Sequence, residues 1–128
     1  MIDDQNGACI ARRGWNARIA SSGGYARIAS SGWLARIASS GWHVRIASSG
    51  DDAAINAEGS SAVVACAGGV TKFCLGPGGC IAIPWHDGSR TRFVALYEGE
   101  QIEAGVWYRL NNKGEPVEAE TQEPTKCA

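Results

Sequence analysis

The sequence predicts an all-β fold: a short parallel β-solenoid, or β-roll, of eight nonapeptide repeats, with about two repeats per coil and a small antiparallel β cap. A nine-residue unit recurs from residue 8 to residue 79, most clearly in ARIASSGGYARIASSGWLARIASSGWHVRIASSG at 17–50. In most units, apolar residues at positions one and three flank a polar residue, which is typical of a strand. A Ser-Ser-Gly stretch then favours a turn and interrupts any helix before a third turn forms.

Two nearly constant columns define the repeat frame. Position three is always apolar, and it holds Ile10, Ile19, Ile28, Ile37, Ile46, Ile55, Val64 and Phe73. Position seven is glycine in every unit but the last, at Gly14, Gly23, Gly32, Gly41, Gly50, Gly59 and Gly68, and then becomes Pro77. We expect each strand to be followed by a turn in which this glycine supplies a backbone angle that other residues resist. Stacking then buries the apolar side that one unit cannot bury alone.

Small inward side chains set the size of the coil. Alanine, one isoleucine and serine per unit fill a thin two-sheet sandwich, whereas they are small for the wide core of a three-unit coil. Two units per coil stack Arg18 with Arg36 on one face and Arg27 with Arg45 on the other. The alternative of three units per coil would stack only Arg18 with Arg45.

The chain divides into four predicted segments. They are an N-terminal lead-in at 1–7, the solenoid at 8–79, an antiparallel β-hairpin cap at 80–118 and a flexible polar tail at 119–128. Two apolar stretches around an Asp87-Gly88 turn predict the first hairpin of the cap, and the same arrangement around 111–114 predicts the second. A cap is expected because exposed parallel edges invite aggregation.

Composition and charge narrow the classes of partner. A formal net charge of −1 argues against a general polyanion binder, so we expect no double-stranded nucleic acid partner. The acidic start MIDDQNGACIARRG lacks the pattern of a secretory signal, and no apolar run approaches the length that spans a membrane. We therefore expect a location in the cytoplasm of a bacterial host cell and no membrane partner.

Five cysteines without paired CxxC spacing fit a reducing compartment. We expect them to be free thiols that pack as small hydrophobic groups. A zinc site at Cys66, Cys74 and Cys80 is the alternative, although their spacing differs from the usual tight pairs. The sequence predicts no metal and no cofactor.

The array and the ending together resemble a family of uncharacterised bacterial and phage proteins with nonapeptide-repeat arrays and a short C-terminal β-hairpin cap. The resemblance covers 8–79 and the closing stretch GEQIEAGVWYRLNNKGE. It implies a β-solenoid and a bacterial or phage source, and it supplies no activity or catalytic residues. Arginine at position two departs from the Thr/Asn-rich unit of that family, so no ligand is carried over.

Arginines at position two and aromatic residues in the turns are the candidate binding residues. They are Arg18, Arg27, Arg36, Arg45, Trp15, Tyr25, Trp33, Trp42 and His43. Stacked guanidinium groups repel by roughly 1 kcal/mol per close pair in water, and a bound phosphate or carboxylate offsets this repulsion. Exposed aromatic residues in series indicate contact with a nucleobase or a protein. The structural alternatives are arginines that extend into solvent and tryptophans that stack within the solenoid.

These patterns predict a non-enzymatic, homo-oligomeric protein that binds a small anionic, nucleotide-like ligand. If the chain is phage-encoded, it would sequester a signalling nucleotide of its host. One alternative is a structural or protein-interaction solenoid that binds a partner protein. The other is an enzyme that uses His86 and Asp87 in the cap, although a turn explains these two residues and the repeat serines more simply.

Overall fold

The computed structural model describes residues 2–3, 7 and 9–119, and the regular secondary structure of these residues is entirely β. The strands are β1 (Ile2–Asp3), β2 (Cys9–Arg12), β3 (Arg18–Ser21), β4 (Arg27–Ser30), β5 (Arg36–Ser39), β6 (Arg45–Ser48), β7 (Ala53–Ala57), β8 (Val63–Cys66), β9 (Val70–Leu75), β10 (Cys80–His86), β11 (Thr91–Tyr97), β12 (Trp107–Leu110) and β13 (Pro116–Glu118).

Successive repeat strands alternate between two sheets. Sheet A has the order β1-β3-β5-β7-β9-β12-β13, and sheet B has the order β11-β10-β8-β6-β4-β2. Arg18 is in register with Arg36 in sheet A, and Arg27 is in register with Arg45 in sheet B, so one coil is 18 residues long. The prediction of a parallel β-solenoid is confirmed, and this register has two nonapeptides per coil rather than three.

Positions one, three and five of the units from residue 17 to residue 70 face the interior. The isoleucine column at position three is almost completely buried, and it is continued by Val64 and Phe73 in the later coils. Larger side chains fill the last coil, where the rings of Phe73 and Tyr108 lie 6.1 Å apart. Small residues at position one keep the two sheets close, because Ala26, Ala35 and Ala53 are fully buried.

Glycine at position seven has a different role from the one predicted. Its φ is not positive in any of these units. Instead, it lies directly against the coil before it: a Cβ on Gly50 would be 2.0 Å from the carbonyl oxygen of Gly32, and a Cβ on Gly41 would be 2.0 Å from that of Gly23. Glycine is therefore required by close contact between stacked turns, and the predicted backbone angle is wrong for this position.

In six turns the left-handed residue is at position nine and is not glycine. These residues are Asn16, Tyr25, Leu34, His43, Asp52 and Ser61, with φ between 52° and 61°. This conformation lets the position-nine N–H donate to a carbonyl one coil further on, as from Tyr25 to Trp42 at 2.9 Å and from His43 to Ser60 at 2.8 Å. A left-handed residue with a Cβ costs about 1 kcal/mol or more, and these hydrogen bonds offset that cost.

The cap continues both sheets. β10 pairs in parallel with β8 at its start and antiparallel with β11 along its whole length. β12 pairs antiparallel with both β9 and β13. The two predicted hairpins are thus confirmed, and the indole N–H of Trp85 in the first donates to the carbonyl of Asn112 in the second at 3.4 Å. Residues 120–128 of the predicted tail, and most of the predicted lead-in, lie outside the described residues.

The cysteines differ from one another in state. Cys9, Cys66 and Cys80 are free thiols, whereas Cys74 is buried and disulfide-bonded, which corrects the expectation of free thiols throughout. Residues 9–119 contain no grouping of three or more potential metal ligands, so the zinc alternative gains no support. The described part of the chain has no helix that could cross a bilayer.

Candidate binding site

Two rows of turns run along opposite sides of the solenoid. We call the turns at 14–16, 32–34, 50–52 and 68–70 the tryptophan edge, and the turns at 23–25, 41–43, 59–61 and 76–78 the tyrosine–histidine edge. Because each coil contains two nonapeptides, alternate turns fall on the same edge. The aromatic residues of the repeat turns therefore form two separate groups, one on each edge, as a coil of two units predicts.

The tryptophan edge carries a single pair of stacked rings. The indoles of Trp15 and Trp33 are nearly parallel, 6° apart in orientation, with centroids 5.6 Å apart. Both side chains are largely in solvent, at 75% and 55% exposure, and Leu34 beside them is 45% exposed. Asp51 takes the same place in the next coil and accepts a hydrogen bond from the N–H of Gly69 at 3.0 Å. The ladder of rings therefore ends after two rungs.

The tyrosine–histidine edge has a mixed cluster. The rings of Tyr25 and His43 stack with their planes 9° apart and their centroids 5.4 Å apart. Trp42 meets Tyr25 edge to face at 4.6 Å. Its indole lies over Gly24, where a Cβ would be 2.8 Å from the ring. Glycine in the preceding coil thus leaves the space that lets Trp42 support Tyr25.

Each edge leads into its own arginine column. Arg18 and Arg36 follow the tryptophan edge in sheet A, while Arg27 and Arg45 follow the tyrosine–histidine edge in sheet B. All four point outward and are exposed. Within residues 9–119, no carboxylate forms an ion pair with Arg27 or Arg45. The charge of this pair is therefore left to solvent or to a ligand.

A pocket of about 160 Å³ joins the aromatic and arginine groups at the tyrosine–histidine edge. Its lining residues are Tyr25, Arg27, His43, Arg45, Ser61 and Val63. Its lining brings together two arginines, two aromatic residues and a serine. Chemically, this set can hold an anionic group and a flat ring together, and it contains no acidic side chain that would repel the anion.

The nine predicted binding residues do not form one site. Four of them, Tyr25, Arg27, His43 and Arg45, line the pocket, and Trp42 supports it from the side. The other four, Trp15, Trp33, Arg18 and Arg36, belong to the opposite edge and the other sheet.

Two pocket residues, Ser61 and Val63, escaped sequence reasoning. Ser61 follows His43 by 18 residues, as His43 follows Tyr25. The 18-residue coil could therefore have predicted that Ser61 lies beside these two rings.

The cap residues His86 and Asp87 form a turn. Asp87 Oδ1 accepts the N–H groups of Ser89 and Arg90, each at 2.8 Å, and its Oδ2 pairs with Arg92. His86 Nδ1 accepts the N–H of Gly88 at 3.1 Å. The Arg90 N–H and the Arg92 guanidinium, with the Ser89 N–H, lower the pKa of Asp87 to about 2. These contacts give both side chains a local structural role in the hairpin.

Comparison with known proteins gives one partial relative. The chain is 52% identical over 50 residues to the uncharacterized protein YdhT of Escherichia coli strain K12. The match covers 38% of this chain and 18% of YdhT, so the chain matches less than a fifth of that protein's length. No protein family and no solved structure matches the chain.

Proposed function

We propose that this chain is a non-enzymatic binding protein that holds a small anionic, nucleotide-like ligand at the tyrosine–histidine edge. One observation carries the proposal: a single small pocket unites two exposed arginines of neighbouring coils with two stacked flat rings. Arginine and aromatic side chains are the groups that recognise the phosphate and the base of a nucleotide.

The two arginines would hold the anionic part of the ligand. Arg27 and Arg45 are in register on neighbouring strands, and such strands lie about 4.8 Å apart. At that distance two like charges repel by roughly 1 kcal/mol in water and by more where solvent is excluded. A phosphate or carboxylate between them removes this repulsion and accepts paired hydrogen bonds from the guanidinium groups.

The rings would hold the flat part of the ligand. Tyr25 and His43 offer a stacked pair at the pocket wall, and stacking of a base on an aromatic side chain contributes about 1–3 kcal/mol. Trp42 restrains Tyr25 through its edge contact. Ser61 adds a hydroxyl that donates or accepts a hydrogen bond.

The biological role extends the proposal. A phage-encoded chain of this kind, located in the bacterial cytoplasm, would sequester a signalling nucleotide of its host. The sequence resemblance to bacterial and phage proteins supports this extension, and the partial likeness to a protein of E. coli is consistent with a bacterial setting.

Native mass spectrometry of the protein purified from cells, repeated after denaturation, tests the proposal. We expect an additional mass of nucleotide size that disappears on denaturation. Arg27→Ala should reduce its occupancy at least tenfold, since it removes one of the two anion contacts. Arg36→Ala is the matched control, because it removes an arginine at the same repeat position on the other sheet.

Two results would contradict the proposal. One is a bare protomer mass together with no shift in Tm when AMP, a cyclic dinucleotide or inorganic phosphate is added. The other is an equal loss of the bound mass in Arg27→Ala and Arg36→Ala, since the pocket would then have no special role.

A second candidate function is that of a structural or protein-interaction solenoid. It is favoured by the exposure of Trp15 and Trp33, which lie outside the pocket and form an apolar pair in solvent. A native spectrum with protein complexes and no small bound mass would favour this function. An enzyme that uses the cap is the third, and it requires activity that is lost in the variants His86→Ala and Asp87→Ala.

A further inference from the structure

Trp15 and Trp33 form a stacked pair of large apolar side chains that are mostly exposed, at 75% and 55%. The fold does not require these two indoles, because side chains at positions one, three and five already fill the core. Exposed aromatic residues that cluster in this way mark contact surfaces. We therefore expect the tryptophan edge to contact a specific partner.

A complementary surface lies directly beside this edge. The outer face of sheet B carries a shallow groove of about 670 Å³, lined along its floor by the alanine column Ala11, Ala29, Ala47, Ala65 and Ala82. One bank is made of residues that immediately precede the glycines of the tryptophan edge, such as Ser31 and Ser49. The exposed ring of Phe93 closes the groove at the cap.

The groove and the tryptophan pair have matching spacing. Successive alanines of the groove are in register on neighbouring strands, about 4.8 Å apart, and the two indole centroids are 5.6 Å apart. The exposed edges of the two stacked indoles can thus lie against the alanine column, with one ring at each of two neighbouring rungs.

We propose that a second copy of this chain occupies the groove, so that the tryptophan edge of each protomer packs on the alanine face of sheet B of the other. Because the edge and the groove are neighbours on one protomer, a single twofold axis satisfies both contacts and closes the dimer. The groove and the pocket share no lining residue, although both lie on sheet B, where the alanine column is two residues along each strand from Arg27 and Arg45. The dimer contact does not require the ligand of the pocket.

Charge favours the same arrangement. Residues 9–50 contain six arginines and no acidic residue, a net charge of +6, whereas residues 51–119 contain five basic and nine acidic residues, a net charge of −4. A twofold axis perpendicular to the solenoid axis places the positive half of each protomer beside the negative half of the other. The association should therefore weaken as salt is raised.

The area is sufficient for a reversible dimer. A large aromatic side chain buries about 150–250 Å². Four indoles with the groove surface that they cover bury on the order of 1,000 Å², the lower limit of a specific interface. We expect a dissociation constant on the order of micromolar rather than nanomolar.

Sedimentation equilibrium over a concentration series tests the dimer. The wild-type protein should approach twice the protomer mass, and the double substitution Trp15→Ser with Trp33→Ser should weaken dimerisation at least tenfold. Ala47→Arg, which fills the groove from an exposed position of β6, should do the same. The matched controls are Trp42→Ser on the other edge and Ala38→Arg at the same repeat position in β5 of sheet A.

Three results would overturn the proposal: a wild-type protein that stays monomeric to about 500 μM, a dimer that persists in Ala47→Arg, or a control variant that weakens the dimer as much as its counterpart. Circular dichroism verifies that each variant is folded. If Ala47→Arg unfolds, the exposed tryptophan substitutions decide the question.

Discussion

The two edges of the solenoid are built from the same nine-residue unit and have different surfaces. On the tryptophan edge, two parallel indoles stand in solvent and the row ends at Asp51. On the tyrosine–histidine edge, rings of three kinds meet at both parallel and steep angles beside a pocket with two arginines. The backbone is nearly identical at the two edges. The difference therefore comes from positions eight and nine, which the fold leaves free to vary.

The largest expected effect comes from disturbing the close contact between stacked turns, which both edges share. Gly50→Ala on the tryptophan edge and Gly41→Ala on the tyrosine–histidine edge each place a Cβ 2.0 Å from a carbonyl oxygen of the preceding coil. We expect each to lower the free energy of unfolding by about 3 kcal/mol or more and the Tm by roughly 10 °C. Thermal denaturation followed by circular dichroism measures the effect.

Gly14→Ala is the control for this pair, since nothing lies within 4 Å of its added Cβ. It should change stability by less than about 1 kcal/mol. A tolerated Gly50→Ala beside a disruptive Gly41→Ala would show that the stacked turns differ between the edges.

A smaller effect is expected from making one edge resemble the other. Gly24→Trp on the tyrosine–histidine edge reproduces the Trp15 and Trp33 arrangement and displaces the Trp42 ring that lies over Gly24. Tyr25 would lose its edge contact, so occupancy of the ligand in the native mass spectrum should fall about tenfold, equivalent to 1.4 kcal/mol. Trp15→Gly, the reverse change on the tryptophan edge, should leave occupancy unchanged.

An effect of similar size concerns the interior beneath each edge. The column Ser30, Ser48 and Cys66 lies under the tryptophan edge, whereas Ser21, Ser39 and Ala57 lie under the other. Burial raises the pKa of Cys66 from 9.0 to about 12. The unfolded chain therefore releases this proton at a lower pH than the folded chain, and stability falls as pH rises above 9.

Cys66→Ala should remove this part of the alkaline loss, about 1.4 kcal/mol between pH 7 and pH 10. Urea denaturation at the two pH values measures it, with Ser48→Ala as the non-titrating control in the same column. An equal alkaline loss in wild type and Cys66→Ala would show that this thiol is accessible to solvent in the folded state.

Most of the architecture could be predicted because the repeat encodes it in every unit. Apolar residues at positions one and three fixed the strands, and small inward residues indicated two units per coil, which brought Trp15 to Trp33 and Tyr25 to His43. The role of glycine was mistaken, since a sequence does not distinguish a residue that needs positive φ from one that needs room for a neighbouring coil. The pocket depends on distances between side chains of different coils, and Ser61 and Val63 have no distinguishing motif of their own.

Because one coil is 18 residues long, the number of nonapeptides gained or lost decides on which edge each later turn lies. Loss or gain of one nonapeptide would carry every later turn to the opposite side and exchange the sheets that the later arginines occupy. A change of two nonapeptides would lengthen or shorten both edges and keep each surface intact. A gene that encodes such an array can therefore vary in steps of 54 nucleotides without mixing its two surfaces, while a step of 27 would rebuild both at once.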